Sequence, residues 1–257
     1  MADKNIKKNI EKAKEALSNG VELLICVDNG ISALEPIKFC RENGIDVLVL
    51  DHHEIPEEIP NANVIMHPFW SNFNKNSTSG ASTAFFFSIY MLKRFDKYLS
   101  TLASISIISD MMPLKGYNRD LLKIVFSRYL DGEFANIDLL KGEDAFDENS
   151  IGMSIAPKIN SVGRIIEDES VSDIVKYFVS NDYSEVLTYY NWINELNNQR
   201  KEASKFSAEN PIDISKDDPA IVIKVDEKEG LIGLIANSLM NKYKKPALMF
   251  PSFPFSP

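Results

Sequence analysis

The chain has 257 residues, 44% of them hydrophobic, which is enough for one large core or two small ones. Its 28 basic and 37 acidic residues give a net charge of −9, which argues against a protein that coats nucleic acid through a broad basic surface. This charge does not exclude a nucleic-acid enzyme, because bound cations and a local basic groove can offset it at the site. The N-terminus lacks the apolar core of a signal peptide, and no apolar run has membrane-spanning length. The two cysteines indicate no disulfide framework. We therefore expect a cytoplasmic protein without membrane contact.

The first elements along the chain form a strand–helix–strand unit behind an N-terminal helix. Helical spacing of apolar residues predicts a helix over residues 3–18, and Val21–Val27 is an apolar run of strand length. Ser32-x-x-Glu35 reads as a capping box that starts a helix, which Asn43-Gly44 ends before a second strand, Ile45–Leu50. A unit of this length is a right-handed parallel crossover.

Acidic and imidazole side chains follow both strands of this unit. Asp28 comes directly after the first strand, and Asp51, His52 and His53 come directly after the second. Parallel strands end at one edge of the sheet, where open α/β sheets bind ligands, so the sequence predicts a metal site there. Taken alone, Asp28 also fits a turn-forming residue, and the two histidines also fit a chance pair. The occurrence of both at the ends of paired strands in one unit favours a metal site.

A short strand and three helices follow in the first half of the chain. The strand is predicted at Ala62–Met66, and the helices at Ala81–Phe95, Lys97–Met112 and Asn118–Leu130. Asp110 lies near the end of the almost continuously apolar second helix, where an acid is costly unless it is paired or bound to a cation. Asp110 is therefore a third candidate for the metal, and an acid exposed past the helix end is the alternative.

The next segments alternate between charge-rich and polar stretches. Residues 131–149 read as an acidic, loop-rich connection, and residues 151–165 as a short segment interrupted by Pro157 and Gly163. Three residues of the second segment suit phosphate binding: Lys158, Asn160 and Arg164. From the residues alone, this segment is either a phosphate-facing loop or a solvated basic loop.

The C-terminal third predicts a long helix and a second small α/β unit. A helix at Ser170–Ser180 precedes a long helix at Tyr183–Asn210 that turns polar, as a connector between domains does. After a polar linker at 211–219 come a strand, a helix and a strand, at Ala220–Val225, Leu231–Tyr243 and Pro246–Phe250. One such unit cannot complete a domain, so we expect only part of a C-terminal domain.

Four motifs in this order, VDNGIS, LDHH, ISDMMPL and IAPKINSVGR, resemble the DHH phosphoesterase family, and within it the RecJ-like exonucleases. The resemblance runs from about Val21 to Phe250. It implies an α/β fold: a parallel-sheet DHH domain with a helical insert over residues 1–180, a connector helix and linker over 181–212, and the start of a DHH-associated C-terminal domain over 213–257.

The resemblance also implies roles for individual residues at a site of two metal ions. Asp28 would bridge two Mn²⁺ or Mg²⁺ ions, and His52 and Asp110 would be further ligands. His53 would lie beside the scissile phosphate, with Asp51 orienting the histidines. Asn160 and Arg164, with Lys158 nearby, would meet the nucleic-acid phosphates. The expected metal ligands are thus Asp28, His52 and Asp110, the expected catalytic residues His53 and Asp51, and the expected phosphate-binding residues Lys158, Asn160 and Arg164.

The implied activity is 5′→3′ hydrolysis of single-stranded DNA in repair and recombination, with a single-strand-binding protein or a helicase as partner. Two alternatives stay open: a phosphodiesterase acting on short RNA or cyclic dinucleotides, and a catalytically inactive module that binds nucleic acid or a partner. The chain departs from the family pattern because it lacks the Asp-rich first motif ahead of Val21 and the histidine before Gly230. These departures predict a truncated member of the family.

Overall fold

The computed structural model describes residues 2–70, 77–166, 169–209 and 218–251. The chain divides by packing into two compact units, Met1–Leu130 and Asp131–Pro257. This division lies upstream of the predicted domain boundary at residue 180, so residues 131–180 belong to the same compact unit as the long helix that follows them. The boundaries inferred from the family stay a prediction, and most of the predicted linker lies outside the described residues.

The elements of the first unit are, in order, α1 Ala2–Ser18, β1 Leu23–Val27, α2 Leu34–Glu42, β2 Asp46–Leu50, β3 Val64–Met66, a 3₁₀ turn at Pro68–Trp70, α3 Gly80–Leu92, α4 Lys97–Ser109 and α5 Tyr117–Arg128. Those of the second unit are α6 Ala135–Lys141, α7 Glu148–Ser150, a π-helical turn at Ile151–Ile155, α8 Ala156–Ile165, a 3₁₀ turn at Glu169–Ser172, α9 Asp173–Val179, α10 Tyr183–Glu209, β4 Ile221–Val225, α11 Glu229–Tyr243 and β5 Ala247–Pro251. The predicted α/β class is confirmed.

The sheet of the first unit is parallel, in the order β1-β2-β3. Val27 of β1 is in register with Leu50 of β2, so Asp28 and Asp51 leave the sheet at the same edge. On one face the sheet packs against α1 and α2, with Ile37, Cys40, Val47 and Val49 in a shared apolar core. Burial of this face fixes the register, because a slip of one residue would turn the core side chains outward.

The second unit contains the smaller parallel pair predicted near the C-terminus. β4 and β5 are in parallel register and α11 connects them. α10 packs along both α8 and α11, and buried Ile193 and Leu196 lie on its packed face. The role of α10 as a connector between domains stays a prediction. No helix in the ranges that the structure describes is both long enough and apolar enough to cross a membrane.

Three local predictions are wrong for identifiable reasons. α2 begins at Leu34 and receives no side-chain cap, because the preceding turn is held instead by a hydrogen bond from Ala33 N–H to Gly30 O of 3.0 Å. The acidic stretch 131–149 contains α6, whose buried Lys141 pairs with Asp131 at 3.2 Å. The predicted loop at 151–165 is helical, since proline is tolerated in the first turn of a helix.

Candidate metal centre

Asp28 is placed by the end of β1 and by an unusual backbone conformation. Its N–H donates to the carbonyl of Leu50 at 2.9 Å and so continues the ladder between the strands. Its φ is 61°, in the left-handed region that Asp tolerates better than most residues. Gly30, at φ 111°, completes the turn, and a Cβ there would press on Cys26 and Val49. The turn therefore presents the Asp28 carboxylate at the sheet edge.

His52 meets this carboxylate from the end of β2. Its Nε2 lies 3.0 Å from Oδ1 of Asp28, and its side chain is only 11% exposed. The hydrogen bond to Asp28 raises the pKa of the His52 imidazole, against the opposing effect of burial, and the charges of Asp28, Asp110 and Asp51 add to the rise. A cation bound here would compete with the proton on His52, because metal ligation requires the neutral ring.

Asp51 is buried and organises the turn that carries both histidines. Its carboxylate accepts hydrogen bonds from the backbone N–H groups of Ile31 at 2.9 Å and His52 at 2.8 Å, and from the ring of His53 at 2.7 Å. Burial alone would raise the pKa of Asp51, but these donated hydrogen bonds outweigh it and hold the pKa below its ordinary value. Asp51 is thus an ionised anchor for the site.

The hydrogen bond to Asp51 also fixes the chemistry of the His53 ring. Because Asp51 is a carboxylate, Nδ1 of His53 carries the proton and Nε2 remains for a cation or, when protonated, for a phosphate. The side chain of His53 is 58% exposed, so Nε2 is accessible from solvent. One oxygen of Asp28 and one nitrogen each of His52 and His53 lie within 4.8 Å of one another. Carboxylate oxygens suit Mn²⁺ or Mg²⁺, and imidazole nitrogens are common ligands of divalent transition-metal ions.

Asp110 approaches the same group from the first unit's helices. It is the C-cap residue of α4 and is exposed, which agrees with the alternative that Asp110 is an acid lying past the end of the helix. Yet partial desolvation and the negative charge of Asp28 raise the pKa of Asp110, while His52 opposes the rise. Two carboxylates that repel each other beside an imidazole form an arrangement that a divalent cation would stabilise.

Two supporting residues of this site were not found from the sequence. His67 is buried, and its Nδ1 accepts from Phe69 N–H at 3.2 Å, so its Nε2 donates to the carbonyl of His53 at 2.8 Å. Ser106, one helical turn before Asp110, donates to Oδ2 of Asp110 at 3.3 Å. The spacing of Ser106 and Asp110 on one helix was a usable signal, but His67 depends on a contact across 14 residues.

The predicted phosphate-binding residues all lie on or near α8, but they do not form one group. Asn160 and Arg164 are four residues apart and share a helical face, and Asn160 is exposed. Lys158 lies on another face, where its Nζ donates to the carbonyl of Leu140 at 2.5 Å. Burial lowers the pKa of Lys158, with a further contribution from the charge of Lys201. One N–H of Arg164 donates to the carbonyl of Gly230 at 3.1 Å.

Comparison with known proteins gives a consistent set of relatives. Residues 2–108 match the DHH family, N-terminal domain. The single-stranded-DNA-specific exonuclease RecJ of Bacillus subtilis (strain 168) is 28% identical over 253 residues, covering 94% of this chain and 32% of that protein. The RecJ of Haemophilus influenzae is 26% identical over 272 residues, covering 94% of this chain and 47% of that protein.

Solved structures share the fold. RecJ from Thermus thermophilus in complex with Mn²⁺ superposes with a TM-score of 0.81 at 23% identity, covering 94% of this chain and 38% of that one. A second exonuclease RecJ bound to manganese gives a TM-score of 0.78 at 23% identity, covering 92% of this chain and 63% of that one. The chain spans about a third to a half of the length of the curated relatives it matches.

Proposed function

We propose that the chain acts in metal-dependent hydrolysis of phosphodiester bonds, as a 5′→3′ exonuclease on single-stranded DNA, because residues 2–108 match the DHH family and the alignment with the RecJ of Bacillus subtilis covers 94% of the chain. The observation that carries this proposal is the group formed by Asp28, His52 and His53 at the carboxyl edge of the parallel sheet. Its carboxylate oxygen is a donor type that suits manganese and magnesium, and its imidazole nitrogens are common ligands of divalent transition-metal ions.

Each residue of the group has a role in the proposed reaction. Asp28, His52 and Asp110 would hold the divalent ions. Such ions supply positive charge against the phosphate and a bound water of lowered pKa. Asp51 holds the Nδ1–H of His53, so Nε2 points away from Asp51 and, when it carries a proton, would donate to the scissile phosphate. The exposed position of His53 supports a contact with substrate rather than a purely structural role.

Strand binding is proposed for the exposed face of α8. Asn160 and the remaining N–H groups of Arg164 are neutral and cationic donors that suit backbone phosphates. Lys158 is also predicted to bind phosphate, but its ammonium donates to the carbonyl of Leu140, so that prediction rests on the sequence alone. A single-strand-binding protein or a helicase is proposed as a partner from the sequence resemblance alone. A cytoplasmic location agrees with the free thiols of Cys26 and Cys40.

The proposal is tested by digestion of 5′-labelled single-stranded DNA with Mn²⁺. Asparagine also tolerates the left-handed backbone at position 28, so Asp28→Asn removes the charge without straining the turn. We expect this variant to lower the rate of digestion about 100-fold or more. Asp120→Asn, which changes an exposed carboxylate in the first turn of α5, is the matched control and should keep full activity. Equal activity of the two variants would contradict the proposed role of Asp28.

The same assay separates the two alternative functions. Short RNA and a cyclic dinucleotide are offered in parallel with the DNA, and faster hydrolysis of either would favour the small-substrate phosphodiesterase. A chain that binds single-stranded DNA but digests none of the three substrates in Mn²⁺ would contradict the enzyme and favour the non-catalytic module. The salt dependence of DNA binding would then report how many phosphates it contacts.

A further inference from the structure

Gly80 is the first residue of α3, where glycine has no conformational advantage. The helix is capped by Ser79, whose side chain accepts from Ser82 N–H at 3.3 Å. The backbone of Gly80 is not in the left-handed region, unlike that of Gly30 or Gly44. Glycine is the weakest helix former after proline, so local preference at this position favours alanine. The reason for a glycine must therefore lie in the surroundings of Gly80.

The surroundings of Gly80 are the side chain of Asp28. A Cβ added to Gly80 would overlap Oδ1, Cγ and Cβ of Asp28. Rotation of the Asp28 side chain cannot relieve this overlap completely, because the Cβ of Asp28 is itself too close and its position follows the backbone. That backbone is tied to Leu50 by its N–H, and the carboxylate is tied to His52.

We propose that Gly80 is a positioning residue for the metal centre. The missing side chain at the start of α3 leaves the space that the Asp28 carboxylate occupies, and thereby determines where Asp28 meets a divalent cation. Any larger residue at position 80 would push Asp28 away from His52 or push α3 away from the sheet edge. The metal part of this inference rests on the proposed function, whereas the packing of Gly80 against Asp28 does not.

A second glycine shows that close packing has a different purpose elsewhere. A Cβ on Gly230 would overlap the backbone of Arg164, so that glycine allows two helices of the second unit to approach. Gly233, also helical, is exposed, and a Cβ added there would have nothing within 4 Å. Gly233→Ala therefore adds the same methyl group to a helix without any collision, and is the matched control for Gly80→Ala.

The packing is tested by a double-mutant cycle of thermal stability. Gly80→Ala should lower Tm by about 4 °C or more, whereas Gly233→Ala should not lower it. Asp28→Gly suits the left-handed backbone and removes the side chain that a Cβ at position 80 would overlap. In this background Gly80→Ala should change Tm little. If Gly80→Ala does not fold but the double variant does, the coupling is at its largest and supports the proposal. An equal loss of Tm in both backgrounds would overturn it.

The effect on the cation is tested by binding of Mn²⁺ alone, counted as free ion by electron paramagnetic resonance. Gly80→Ala should bind about 10- to 100-fold more weakly than the unsubstituted chain, the size of loss expected when a supporting residue is changed. Gly233→Ala should bind normally. Normal Mn²⁺ affinity in folded Gly80→Ala would overturn the proposal. No binding by the unsubstituted chain would instead overturn the metal centre itself, while the stability cycle still decides whether Gly80 sets the position of Asp28.

Discussion

The sheet edge of the first unit and the helix α8 of the second were both predicted as functional from polar motifs, and they differ in structure. At the sheet edge, Asp28, Asp51 and the two histidines converge and hydrogen-bond to one another. On α8, Lys158 and Arg164 donate to backbone carbonyls, and Asn160 is exposed.

The difference follows from geometry. Parallel strands end side by side, so residues that follow two such strands meet whatever the length of chain between them. A helix instead turns once every 3.6 residues, so residues two positions apart, such as Lys158 and Asn160, face different directions. A polar motif after parallel strands is therefore stronger evidence for a site than a polar motif of the same size on a helix. Substitutions at both places can test this contrast.

After Asp28→Asn, the largest effect is expected from Asp51→Asn. The N–H of Ile31 and the ring of His53 now donate to a buried carboxylate, which the variant replaces with an amide. The free energy of unfolding should therefore fall by about 2–3 kcal/mol, and Mn²⁺ affinity should fall by about 10- to 100-fold. Urea denaturation and metal titration would measure the two losses. A variant as stable and as tightly metal-binding as the unsubstituted chain would remove Asp51 from its anchoring role.

Asp51 also predicts a pH dependence of stability. Because its pKa in the folded state is held below the ordinary value of 3.8, its stabilising effect is full above that value and is lost as pH falls through the folded pKa. The difference in unfolding free energy between the unsubstituted chain and Asp51→Asn should therefore shrink in acid. A difference that stayed constant down to the folded pKa would contradict an ionised Asp51.

A second large effect is expected of pH on metal binding. The pKa of His52 is raised above its ordinary value of 6.5, so the proton persists on the ring to higher pH than on a free histidine. Below the raised pKa, Mn²⁺ affinity should fall about tenfold for each pH unit, because each bound ion must displace that proton. His52→Gln is the comparison, and its weaker binding should depend much less on pH in this range.

Lys158→Met tests the other side of the comparison. If Lys158 mainly holds the carbonyl of Leu140, its loss should lower the free energy of unfolding by about 1–2 kcal/mol and leave DNA affinity nearly unchanged. Asn160→Ala, on the exposed face, should keep stability within about 0.5 kcal/mol and weaken DNA binding. The reverse pattern, a stable Lys158→Met with a smaller salt slope of DNA binding, would restore the predicted phosphate contact of Lys158.

The smallest effect is expected from Ser106→Ala. Its hydrogen bond to Asp110 is long, at 3.3 Å, so Mn²⁺ affinity should fall only about twofold. Ser109→Ala on the same helix removes a hydroxyl that bonds to the backbone carbonyl of Ser106, and it should leave Mn²⁺ affinity unchanged. Equal losses in the two variants would indicate a general effect on α4 rather than support of Asp110.

The parallel crossover and the convergence of Asp28 with the histidines could be predicted from the amino-acid sequence alone. Apolar runs of strand length and a helix between them leave one topology, and that topology places both strand ends at one edge. The second small strand–helix–strand unit was predictable for the same reason. These features depend on periodicity and on short turns, which are properties of neighbouring residues.

The way the site is held depends instead on tertiary contacts. The turn that precedes α2 is joined to Asp51 by the N–H of Ile31, and the carbonyl of His53 is held by His67 across 14 residues. The need for glycine at position 80 depends on the side chain of Asp28, which is distant in sequence. Local patterns specify which elements form, but contacts between residues far apart in the chain specify which atoms meet, and no local pattern contains that information.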